Sequence, residues 1–172
     1  ARYTTGTVAI TAAARTTVTG TSSLWNTTVT GMGFTNARVG GKMTFSGSPN
    51  VFEVSAVGSD TSITLADRWV GDALSGASYA YFEDEYSLPS DFWRLTDLRS
   101  FSEDMKIEAL GPQEFRRRFP RNSITGRPLK ATIIQLDFLT TTAPRYRVVF
   151  SPAPDIVYQI PYNYITTNLA VS

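Results

Sequence analysis

The chain has 172 residues, 42% of them aliphatic or aromatic and 18% charged, with a formal net charge of +1, which is material for one good core or two small ones and argues against disorder. It contains no Cys and no His, so disulfides, thiolate nucleophiles, imidazole bases and nearly every transition-metal site, zinc and iron included, are excluded. The charge balance gives no global attraction to nucleic acid or to an anionic membrane, and no apolar run approaches the roughly 20 residues that span a bilayer.

Residues 1 to 78 read as short strands separated by turns. Val8, Ile10 and Ala12 alternate with Thr7, Ala9 and Thr11, and Val18 sits between threonines before Gly20. Met43 and Phe45, then Phe52, Val54 and Ala56, then Ile63 and Leu65 continue the period-two pattern. Gly40-Gly41, Gly47-Ser48-Pro49-Asn50 and Gly58-Ser59-Asp60 are competent turns. Strands this short and closely spaced predict a small β-barrel or sandwich, with Trp25, Phe34 and Trp69 as its large core or rim residues.

The Gly71 to Gly76 stretch marks the candidate boundary, and a second β-rich unit is expected over 79–172. Tyr79 to Phe82 reads as a strand, whereas Phe92 to Leu98 fits a strand or a helix equally well. Gly111-Pro112-Gln113-Glu114-Phe115 starts a short helix near 112–119, with Pro at the first helical position and Glu in the first turn. Phe115 and Phe119 then share a face, and Pro120 and Gly126 confine the helix to two or three turns. Three strands follow, marked by the alternations Ile134, Leu136, Phe138; Tyr146, Val148, Phe150; and Ile156, Tyr158, Ile160, Tyr162, Tyr164.

Four groups of side chains invite a functional reading, each beside a plainer one. Glu83-Asp84-Glu85 has the composition of paired catalytic carboxylates or of a hard-cation site. On a strand, however, it reads as the charged guard of a solvated edge. Arg116, Arg117 and Arg118, joined by Arg121, Arg127 and Lys130, suit DNA phosphates or an acidic neighbour; they equally suit the solvated C-terminal end of a short helix, about 100° apart per residue. Residues 79–110 hold eight acidic and three basic side chains and residues 111–172 three acidic and eight basic, −5 against +5. Such unlike surfaces are what a head-to-tail contact requires. Tyr158, Tyr162 and Tyr164 share a parity and make a sugar-stacking platform, a protein interface or a core face. Serines and threonines are plentiful, but without His or a Ser-x-x-Lys pattern none has a base to activate it. No catalytic residue, metal site or cofactor is implied.

The order of four motifs is more telling than any one of them. Tyr86-Ser87-Leu88-Pro89-Ser90-Asp91-Phe92 leads to the Pro112-x-Glu114-Phe115 helix, then to Thr125-Gly126-Arg127-Pro128 before a strand, then to Pro152-Ala153-Pro154-Asp155-x-x-Tyr158. This succession, over about residues 79 to 170, resembles the core of head-to-tail connector proteins of tailed bacteriophages, the neck or adaptor subunits that ring the portal. The first unit, with Thr5-Gly6-Thr7-Val8 and Val18-Thr19-Gly20-Thr21 leading to Trp25, looks like small β modules of phage tail and neck proteins.

The resemblance implies a non-enzymatic virion protein assembled in the bacterial host cytoplasm, a homo-oligomeric ring, commonly twelvefold. Its partners would be the portal protein and other neck or tail proteins, with non-specific contact to genomic DNA in the channel and no membrane. Arg116, Arg117, Arg118, Arg121, Arg127, Glu83, Asp84, Glu85, Tyr158 and Tyr162 are then the candidate contact residues. Such adaptors usually begin with helices that grip the portal. None is read here, which points to a helical part outside the sequence or to a neighbouring layer of the neck or tail. The alternative is a carbohydrate- or receptor-binding β module of a phage tail, working through Tyr and Trp side chains such as Trp25 and Tyr162.

Overall fold

A computed structural model describes residues 2–30, 33–98, 107–120, 122–135 and 146–167. The protein is mainly β with one short helix, and it divides into two compact units, Ala1–Glu83 and Asp84–Ser172.

The first unit holds β1 (Thr7–Ile10), β2 (Thr17–Thr21), β3 (Lys42–Phe45), β4 (Val51–Ser59), β5 (Ser62–Leu65), β6 (Leu74–Ala77) and β7 (Tyr79–Phe82). They form one sheet in the order β6-β1-β2-β5-β4-β3-β7. The two ends of that order are consecutive in the chain, broken only at Ser78. Val8 pairs with Ala77 and Ile10 with Leu74. Farther along the same two segments Tyr3 bridges Tyr81 through a reciprocal pair of backbone hydrogen bonds of 2.7 and 2.8 Å. Residues 3–10 and 74–81 therefore run antiparallel beside each other, and the sheet curls back on itself as a half-barrel, nearer to the barrel than to the sandwich of the two expected architectures. The break between Tyr3 and β1 falls at Gly6, whose φ of +85° and whose position against Thr21 O, 2.3 Å from where a Cβ would stand, exclude a side chain.

Alternation explains the barrel interior. Val8, Ile10, Val18, Met43, Phe45, Phe52, Val54, Ile63 and Leu65 all point in and are buried. Trp25 and Trp69 join them, while Phe34 is half-buried at the rim. Phe45, Phe52 and Trp69 form a three-way aromatic cluster with centroids 5.4 to 5.7 Å apart. Trp25 Nε1 donates to Tyr79 Oη at 2.8 Å, and that hydroxyl donates to Thr5 O at 2.7 Å, so two buried polar groups are satisfied in series.

Two expectations change here. Ala56 is exposed, not inward, because the β4–β5 register passes from Val54↔Leu65 to Ala56↔Thr64. Ser55 is the extra residue of a bulge, and Val57 turns toward the core in place of Ala56. The expected boundary near residue 78 also moves. Tyr79–Phe82 pairs with β3 in the barrel, Tyr79 and Tyr81 fill its core, and Leu74–Ala77 is a barrel strand. Rising aromatic density at Tyr79 signalled the last strand of the first core, not the first strand of a second.

The second unit contains β8 (Glu85–Ser87), β9 (Phe92–Leu98), β10 (Glu108–Ala109), α1 (Pro112–Arg118), β11 (Thr125–Gly126), β12 (Lys130–Gln135), β13 (Tyr146–Ser151), β14 (Ala153–Pro154) and β15 (Tyr162–Thr166). A four-stranded sheet runs β10-β12-β13-β8, and β11–β14 and β15–β9 are two-stranded pairs. Ile107, Ala131, Val148 and Phe150 make the core, with Tyr86, Leu88, Leu98 and Ile160 against it. The helix is two turns long, with Pro112 in its first turn, Phe115 buried and the Phe115 and Phe119 rings 5.1 Å apart. The strand expected over 156–164 is shorter and later, starting at Tyr162; residues 157–160 are irregular. Leu136 and Phe138 lie outside the described residues. Among the described residues no helix is long and apolar enough to cross a membrane.

Candidate interaction surfaces

Glu83, Asp84 and Glu85 are each engaged within their own unit, and only Glu85, on the outer strand β8, stands at a sheet edge. Glu83, the last residue of the first unit, accepts from Tyr81 Oη at 2.5 Å and from Arg38 Nε at 2.9 Å, and Arg38 Nη2 closes on its other oxygen. This bidentate geometry fixes the guanidinium, which also lies 4.6 Å from the Phe34 ring centroid. Burial, and then the neighbouring Glu83 charge, push the Tyr81 hydroxyl far above the ordinary phenol range.

Asp84, at the start of the second unit, is buried at 1% exposure. Its Oδ2 accepts from Asn122 Nδ2 at 2.9 Å, the same amide donates to Phe150 O at 2.5 Å, and Phe150 N donates back to Asp84 O at 2.8 Å. Glu85 accepts from Arg147 at 3.3 Å across the β8–β13 pair. Among the described residues no group of three or more carboxylates converges as a metal site.

The same pairing absorbs part of the charge asymmetry. Lys130 bonds Glu108 where β10 meets β12, as Arg147 bonds Glu85 where β13 meets β8. Acidic outer strands thus flank basic inner ones inside one sheet. On α1, Arg118 pairs with Glu114 one turn back at 2.5 Å, leaving Arg116 and Arg117 exposed and without an ion pair among the described residues. Arg121 lies outside the described residues.

Two of the motifs distant in sequence come together. β11 pairs in parallel with β14, Thr125 opposite Ala153 and Gly126 opposite Pro154, and Ala153 N donates to Ile124 O at 2.9 Å. The Thr125-Gly126-Arg127-Pro128 turn and the Pro152-Ala153-Pro154-Asp155 segment are therefore neighbours. Tyr158 Oη donates to Asp155 Oδ1 at 2.8 Å, which holds that hydroxyl above its usual range, and the Arg127 charge acts on it in the opposite sense. Around this pair Ile124, Leu129, Ile156 and Val157 are exposed at 70, 51, 59 and 49%. Exposed aliphatics grouped in this way make the pair a candidate contact surface.

The third surface is the β9–β15 ribbon. Leu98 pairs with Tyr162 and Asp97 with Asn163; Thr96 is skipped; Leu95 pairs with Tyr164 and Arg94 with Ile165; Trp93 is skipped; Phe92 pairs with Thr166. Two bulges therefore put Phe92, Leu95 and Leu98 on one face with Tyr162 and Tyr164. The Phe92 and Tyr164 rings stack at 5.5 Å, with Tyr162 5.7 Å from Tyr164 and Tyr146 5.2 Å from Phe92. Every third residue of β9 is apolar because of the bulges, and that spacing made the segment look as helical as extended. Tyr162 and Tyr164 do share a face, as parity requires, whereas Tyr158 sits apart beside Asp155. The other face displays Trp93 at 58% and Ile165 at 42%, with Arg94 between them in register.

Sequence reasoning passed over Trp93, Ile124, Ile156, Val157 and Ile165, since an apolar side chain is assigned to a core by default. Of the three tryptophans Trp25 is fully buried and Trp69 nearly so, so Trp25 is core and the tryptophan open to a ligand is Trp93. No protein-family model, no curated protein and no solved structure matches the chain.

Proposed function

We propose that this chain is a structural virion protein of a tailed bacteriophage, a subunit of an oligomeric ring at the head-to-tail junction that links the portal to tail components. The observation that carries the reading is the β11–β14 pair: two motifs of the connector-like succession lie side by side and are surrounded by exposed aliphatics. A sheet curled so far that Tyr3 bridges Tyr81 leaves little free strand edge through which copies could aggregate indiscriminately, so its contacts run through loops and faces. Arg116 and Arg117 meet an acidic neighbour or the passing genome, a contact that is blind to sequence and weakened by salt. The test is the native mass of the purified chain, alone and with a portal protein. A higher-order species in either condition supports the reading, and a monomer in both overturns it.

Exposed Trp93 favours a second reading, a carbohydrate- or receptor-binding module, because an open indole ring stacks on the apolar face of a sugar. Glycan-array binding by a monomer, lost in Trp93→Ala, would replace the ring with this function.

A further inference from the structure

Among the described residues of the second unit, all the large apolar side chains with strong exposure fall in two places. Trp93 and Ile165 stand on the β9–β15 ribbon, and Ile124, Leu129, Ile156 and Val157 surround the β11–β14 pair. Each place carries an exposed charge that no ion pair engages among the described residues. On the ribbon it is Arg94, in register with Ile165. Beside the strand pair it is Asp155, whose carboxylate accepts, among the described residues, from Ile156 N at 3.0 Å and from the Tyr158 hydroxyl, while the neighbouring Arg127 has a partner of its own.

We infer that the ribbon face of one copy docks on the β11–β14 face of the next, with Arg94 of the first meeting Asp155 of the second. The inference deepens the assembly reading above and rests on it. Charge favours the pairing. Self-association about a two-fold axis passing near Arg94 or Asp155 brings like charges together, which is repulsive, whereas mating the unlike faces brings Arg94 and Asp155 together over apolar surface. A head-to-tail contact of this kind leaves one face of each kind unfilled at the ends of any open chain of copies, and it is satisfied throughout only when the chain closes into a ring. Trp and Arg are also the residues that most often dominate the energetics of an interface, and here they are adjacent.

The test uses two full-length variants, Trp93→Glu, which spoils the ribbon face, and Ile156→Glu, which spoils the other. Each alone is expected to be monomeric by native mass spectrometry, with an unchanged circular dichroism spectrum. Mixed in equal amounts they should form a species of two copies and nothing larger, because only one productive contact remains between them. A pair of charge exchanges guards against misfolding: Arg94→Asp and Asp155→Arg should each block assembly, and both together in one chain should restore it. The inference is overturned if the unaltered chain assembles and either glutamate variant still does so. It is equally overturned if mixing yields no pair and the doubly exchanged chain does not recover. An unaltered chain that is monomeric at every concentration overturns the assembly reading itself, an outcome distinct from both.

Discussion

Gly41 and Tyr81 occupy one another's space: a Cβ on Gly41 would stand 2.1 Å from Tyr81 Oη and 2.3 Å from its ring. The hydroxyl held there accepts from Arg38 N at 2.8 Å and donates to Glu83. Gly41→Ala must push the ring out of a fully packed core, and we expect a loss of about 1 to 3 kcal/mol, the usual cost of overpacking. Denaturant unfolding followed by the fluorescence of buried Trp25 and Trp69 reads it. An unchanged midpoint would mean that the ring has room to yield.

High pH should unfold the barrel through its tyrosines. Burial pushes the Tyr79 hydroxyl from 10.0 up to about 12, and Tyr81 is raised further by burial and by Glu83. Both ionise more readily in the unfolded chain, so their contribution to stability is whole below pH 10 and is lost as pH rises through the folded-state values. Tryptophan-monitored stability should be level from neutrality to about pH 10 and fall above it. Tyr79→Phe should soften that fall while weakening the barrel at neutral pH by about 1 to 3 kcal/mol, because it leaves the Trp25 indole N–H unpaired. A fall that begins below pH 9 would point to other groups.

Adjacent residues on β9 should respond oppositely. Phe92 is buried at 1% and touches two aromatic rings, so Phe92→Ala should cost about 3 to 5 kcal/mol. Trp93, displaced onto the open face by the bulge, should cost no more than about 0.5 kcal/mol when replaced by Ala. Thermal melts of the two variants make the comparison, and equal losses would contradict the bulged register.

Strand periodicity made most of the barrel legible, since Val8, Ile10, Val18, Met43, Phe45, Ile63 and Leu65 alternate without interruption. It failed where one residue is inserted: Ser55 shifted the inward face from Ala56 to Val57, and Trp93 and Thr96 made a strand look like a helix. Parity cannot survive an extra residue, and nothing in the residue types themselves announces one. The acidic triplet was only partly legible, for another reason. The groups that engage it, Arg38, Asn122 and Arg147, lie far away in the chain, so neighbours along the sequence gave no hint of them. The candidate surface was half legible: the motifs around Arg127 and Asp155 were visible, but their adjacency exists only through the β11–β14 register.

Arg116 and Arg117 give the last prediction. Both are exposed on α1 and neither supports the fold, so Arg116→Ala with Arg117→Ala should leave the melting temperature unchanged. If they meet DNA phosphates, the slope of log affinity against log salt for a random duplex should fall by about 1 for each arginine removed. Filter binding across a salt series measures it. An unchanged slope would mean that they make no phosphate contact.

The seam that joins residues 3–10 to 74–82 has a cost during synthesis. Thr5 and Tyr79, which bond across it, are 74 positions apart, so the earliest-made segment of this unit waits for almost the last before it is satisfied. Local contacts cannot nucleate such a closure, and a topology dominated by distant pairing folds slowly. Until Phe82 emerges, the nascent chain carries an open strand edge, and any truncation short of Tyr79 leaves a permanently sticky fragment in place of a smaller barrel.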